Sequence, residues 1–92
     1  MTDVDSKLRV ILQIYVESRD LDEVSSELVK LPGIVDVYEV TGESDIIVMI
    51  EADDVIAFRD LLKNRILPIS GIRSTVSSVV TYIHKKDGRV TD

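Results

Sequence analysis

Residues 37–54 read Val37-Tyr38-Glu39-Val40-Thr41-Gly42-Glu43-Ser44-Asp45-Ile46-Ile47-Val48-Met49-Ile50-Glu51-Ala52-Asp53-Asp54. Two β-rich runs, Ile34–Thr41 and Asp45–Glu51, meet here across a short polar connection centred on Gly42. A tight turn needs a residue that tolerates positive φ, and glycine does so without steric cost. Strands joined this closely must be antiparallel, because a parallel pair needs a crossover of about a dozen residues. The stretch is a hairpin, and the remaining chain is organised around it.

Working outward, each strand of the hairpin belongs to a similar half. Leu8–Val16 reads as a strand, Asp20–Leu31 as a helix, and Leu31-Pro32-Gly33-Ile34 as its stop. Beyond the hairpin, Asp53–Ile66 reads as a second helix, ended by Pro68 and turned by Gly71, before a long last strand Ile72–Ile83. One common shift carries Gly33-Ile34 onto Gly71-Ile72 and Leu8 onto Ile46. The order is β-α-β-β-α-β. Two right-handed βαβ units in one sheet give an α+β, ferredoxin-like sandwich. Its four-stranded antiparallel sheet has strand order 4-1-3-2 and carries both helices on one face. Residues 1–92 form one domain with a core over about 8–84, and the polar segment Met1–Ser6 is expected to fray.

Local chemistry supports the same map. Asp20 with Glu23 three residues on makes a capping-box pattern for the first helix. Leu21, Val24, Leu28 and Leu31 form its apolar stripe. Asp53 or Asp54 opens the second helix, whose stripe is Val55, Phe58, Leu62 and Ile66. Asp87-Gly88 begins a polar tail.

Composition excludes several classes. The chain has 92 residues, 45% hydrophobic and 30% charged, as expected for one globular domain. There is no cysteine, so disulfides and thiolate metal sites are out, and a cytoplasmic location is expected. No apolar run approaches the roughly 18 residues of a membrane span, and Met1–Lys7 has no signal-peptide pattern. A net charge of −6 argues against direct nucleic-acid binding.

The strands are apolar on both faces. Ile46-Ile47-Val48-Met49-Ile50 is the clearest case, and Leu8–Val16 shares the property. Two helices shield only one side of a four-stranded sheet, and a sheet with one wet face should alternate. A second copy of the same sheet is the simplest cover, which predicts a homodimer.

The segments Leu31–Ile46, Glu51-Ala52-Asp53-Asp54 and Gly71-Ile72-Arg73-Ser74-Thr75 together resemble the effector-binding half, or RAM domain, of Lrp/AsnC transcription regulators. The resemblance covers about Leu8 to Ile83. A helix-turn-helix precedes this domain in the family; here only a few polar residues precede the first strand, so the chain resembles a stand-alone form. The resemblance implies homodimers of apposed sheets, assembled further into tetramers or octamers. It implies an amino-acid effector at contacts between dimers, and a full-length regulator of the family as a further partner. No cofactor and no membrane partner are implied. The implied pocket residues are Thr41, Gly42 and Asp45 of the hairpin loop, with Thr75 and Ser77 of the last strand. Ser44 stands where the family often has an aromatic residue, and Val76 where an acid is common.

The loop chemistry suits a zwitterion. Backbone N–H groups around a glycine turn can hold a carboxylate, and an aspartate can pair with an ammonium. On the residues alone a second reading stays open, in which Gly42 serves only the turn and Asp45 caps a backbone N–H. Catalysis has little to build on: His84 is the sole histidine, and any nucleophile would be a serine or threonine beside it. The competing function is a small dimeric ferredoxin-like enzyme, of monooxygenase or isomerase type. That function requires a polar, histidine-bearing cavity between helices and sheet.

Overall fold

The computed structural model describes residues 7–91. The segment Met1–Ser6 expected to fray lies outside them. Strand β1 (Leu8–Val16) runs into a 3₁₀ turn at Ser18–Asp20 and helix α1 (Leu21–Leu28). Strands β2 (Ile34–Glu39) and β3 (Ile46–Ala52) form the hairpin, followed by helix α2 (Val55–Leu61), which passes into a π-helical turn at Leu62–Ile66. Strand β4 (Ile72–Val79) completes the sheet. The sheet order is β2-β3-β1-β4 and every pairing is antiparallel, as the strand pattern predicts.

Strand parity decides what is buried. Val10, Leu12, Ile14 and Val16 of β1 face the same side as Ile46, Val48, Ile50 and Ala52 of β3. They pack with Val24 and Leu28 of α1 and with Phe58 and Ile66 in one core. At about 25 cal/mol per Å² of apolar surface removed from water, this cluster is the main stabilising term.

Several boundaries differ from expectation. Asp20 is not the side-chain cap of α1; the 3₁₀ turn leaves it near φ −104°, ψ 7°, outside the extended geometry a capping residue adopts. Asp54 does cap α2, its carboxylate accepting from the Ala57 N–H at 2.8 Å. Val55, expected on the apolar stripe, is 62% exposed. The last strand stops at Val79 rather than Ile83, one residue short of Val80, whose N–H still donates to the Arg9 carbonyl. The expected polar tail contains a small hairpin, β5 (Lys85–Lys86) and β6 (Arg89–Val90). Asp87 and Gly88 form its turn with φ 52° and 81°, the positive pair a two-residue turn requires.

The two halves agree in detail at their glycines. The Gly33 carbonyl accepts from the Glu51 N–H at 2.8 Å, and the Gly71 carbonyl from the Glu17 N–H at 2.9 Å. Each bond ties the residue before an edge strand to the far end of the central strand beside it.

Candidate functional site

The connection between β2 and β3 is laced to the end of β1. Val40 N–H donates to the Asp45 carbonyl at 3.0 Å, and Asp45 N–H donates to the Ile14 carbonyl at 3.1 Å. The Asp45 carboxylate accepts from the Val16 N–H at 2.9 Å through Oδ2. Asp45 therefore does cap a backbone N–H, and this bond fixes where its charge sits. Ser44 beside it is only 4% exposed. The small side chain fits a buried position, so no aromatic projects from the loop here.

Thr41, Gly42 and Glu43 stand exposed at the tip. Gly42 has φ 133°, and a Cβ built there meets nothing within 4 Å. Its requirement for glycine is a backbone one.

Thr75 lies opposite Ile14 and Ser77 opposite Leu12 across the β1–β4 pairing. Both side chains therefore share the helix-side face at the β4 edge, where Thr75 is half-buried and Ser77 exposed. Asp45 and Thr75 flank Ile14 from its two sides, one through the hairpin loop and one through β4. Strands lie about 4.8 Å apart, so a strand's width separates the two groups of residues within a single chain. They share one end of the sheet and stand on either side of β1.

A cleft of about 490 Å³ opens elsewhere, between α1 and the segment following α2. Asp20, Glu23, Glu27, Arg65, Pro68, Ile69 and Ser70 line it. The sequence carries no signal of this concavity, because it forms only when residues 65–70 return past the helix.

Among the described residues no helix lies on the other face of the sheet. Ile11 pairs with Met49 and Gln13 with Ile47 across β1 and β3. Tyr38 of β2 lies opposite Ile47, and Val76 of β4 opposite Gln13. Arg9 and Glu51 close one end of this patch with an ion pair at 3.2 Å. His84 lies in the exposed segment before β5, its ring edge-on to Tyr82 at a centroid distance of 4.6 Å.

Comparison with known proteins fits this geometry. Residues 9–90 match the model of the Lrp/AsnC ligand binding domain. The HTH-type transcriptional regulator FL11 of Pyrococcus furiosus is 36% identical over 76 residues, 79% of this chain and 48% of the regulator. The chain spans about half the length of the curated relatives it matches. A transcriptional regulator from Neisseria meningitidis, solved as an L-Met complex, has TM-score 0.83 and 21% identity, covering 96% of this chain and 58% of that one. TTHA0845 from Thermus thermophilus has TM-score 0.81 and 20% identity, covering 86% of this chain and 99% of that one. At such identities the structural likeness speaks for the fold. Fold and family match together define a ferredoxin-like ligand-binding domain of the kind found in transcriptional regulators. The chain belongs to the Lrp/AsnC family, as its ligand-binding domain.

Proposed function

We propose that this domain binds an amino acid and associates with copies of itself, and that it serves transcriptional regulation through that association. The observation that carries the reading is the family match over residues 9–90. The L-Met complex of the Neisseria meningitidis regulator supports an amino acid as the ligand class. The effector sits against Thr41, Gly42 and Asp45, with Thr75 and Ser77 completing the pocket where two dimers meet. Asp45 pairs with the ammonium, and the backbone of the Gly42 turn receives the carboxylate. A hairpin tip exposed on one chain needs a second dimer to exclude water from so small a ligand. The apolar face around Ile11, Ile47 and Met49 is the dimer interface, and a full-length regulator of the same family is a further partner. Its place of action is the cytoplasm.

The competing enzyme reading requires a polar cavity between helices and sheet. That space is filled by aliphatic side chains and Phe58, and His84 lies outside it. The domain acts by binding. Thermal shift against the free amino acids tests the proposal, since a ligand selective for the folded state raises its melting temperature. If no amino acid raises it, the effector reading is wrong.

A further inference from the structure

The two edges of the sheet are built differently. At one edge, β2 carries the acids Asp36 and Glu39, and its register slips between Ile34 and Asp36, leaving Val35 as a bulge. Charges and bulges are the ordinary devices by which a sheet edge refuses another strand. At the other edge, β4 pairs only with β1. From Ser74 to Ile83 the chain has no charge, no proline and no glycine. Among the described residues nothing lies against this outer edge as a strand. It is an unguarded row of backbone donors and acceptors.

The ladder shows which groups point outward. Val80 N–H donates to the Arg9 carbonyl, so the pair 9–80 is a hydrogen-bonded one. Bonded and non-bonded pairs alternate in an antiparallel ladder. Residues 74, 76 and 78 therefore turn their backbone groups toward β1, and Thr75, Ser77 and Val79 turn theirs outward.

The sequence on this edge is symmetric about its own centre. In Ser74-Thr75-Val76-Ser77-Ser78, hydroxyl residues flank Val76 at both one and two positions on either side. We propose that β4 pairs antiparallel with β4 of a second copy, about a twofold axis through Val76, joining two sheets edge to edge. In this register Thr75 faces the second copy's Ser77, so the outward donors and acceptors of both chains meet. Ser74 faces Ser78, and Val76 faces itself. Hydroxyl pairs across strands are favourable, and no like charges are opposed over residues 74–78. A twofold contact uses the same patch on both chains and closes on itself, so it adds one partner and then stops. This contact is separate from the apposed sheet faces and does not depend on the ligand.

The cysteine-free chain makes the test clean. Thr75→Cys and Ser77→Cys are prepared as separate proteins, and both side chains lie on the helix side, where apposed sheet faces cannot join them. In the proposed register the two introduced thiols, one from each protein, sit on strands about 5.5 Å apart between Cα atoms, within disulfide range. Each mutant with itself is offset by two residues, roughly 8–9 Å, beyond that range. Mild oxidation should give a cross-linked dimer in the mixture and monomer from each protein alone. Circular dichroism on both confirms that they fold. No cross-link in the mixture, or equal cross-linking of each mutant alone, overturns the proposed pairing.

Discussion

Asp45 accepts a hydrogen bond from the Val16 backbone N–H at 2.9 Å, joining the hairpin loop to the end of β1. The same carboxylate is the group proposed to meet a ligand ammonium. Asp45→Asn keeps an acceptor oxygen for Val16 and removes the charge, so the fold should survive. Calorimetry should then show weaker binding of any amino acid that binds the parent; unchanged affinity would place the site elsewhere. Asp45→Ala leaves the Val16 N–H without its partner, at about 1–3 kcal/mol. For a domain of this size that corresponds to a melting point lower by roughly 4–8 °C per kcal/mol.

Ile11 and Met49 face each other on the side of the sheet without helices. Placing Asp at either position sets a charge in the proposed dimer interface, at a cost on the order of 3–5 kcal/mol when buried without a partner. The core lies on the opposite side of the strand, so the monomer should stay folded. Sedimentation should show the wild-type dimer and a monomeric variant. A folded wild-type monomer at micromolar concentration would refute the interface.

The glycines at 71 and 42 should respond differently to alanine. Gly71 has φ 103°, and an added Cβ would stand 2.7 Å from the Asp20 Cβ, which is anchored to its own backbone and cannot swing aside. Backbone strain of about 1–2 kcal/mol adds to an overpacking cost of about 1–3 kcal/mol. Gly42 has open space, so Gly42→Ala should cost the backbone strain alone. Urea unfolding of the two variants, compared at equal slope, measures the difference.

Lys7 binds Asp53 at 2.7 Å, and this hydrogen bond with the lysine's charge holds the Asp53 carboxyl below its usual range. A depressed carboxylate favours the fold above its unfolded pKa, and that benefit is lost as pH falls through the folded value. Both side chains are largely in water, so salt should screen the pair. An NMR titration should show the Asp53 pKa rising in Lys7→Gln and at high ionic strength. No change in either would contradict the pairing.

The sheet is legible in the sequence because its signals are local and repeated. β1 has the bounds its β-branched run predicts, Leu8–Val16, and the strand order follows from two right-handed crossovers. The helix starts and stops are less so. Asp20 carries a capping-box pattern, yet the 3₁₀ turn before α1 removes the geometry that pattern needs. The π turn at 62–66 has no signal in the sequence; Phe58 and Ile66 are buried as the stripe predicts, while Val55, the first residue of α2, is exposed. The Asp87-Gly88 turn has a readable signal, the dipeptide itself, but its polar setting reads as a tail. At the candidate site, the family resemblance points to the loop and strand residues, but the Val16 N–H that holds Asp45 belongs to a strand far away in sequence.

Alternation along β1 and β3 has a consequence for divergence. Leu12, Ile14, Val48 and Ile50 carry the folding instructions, while their immediate neighbours Ile11, Gln13, Ile47 and Met49 face away from that core. A duplicated gene could therefore rewrite one parity of residues and leave the other untouched. Two daughter proteins would fold alike from the start, yet drift into assemblies that no longer mix.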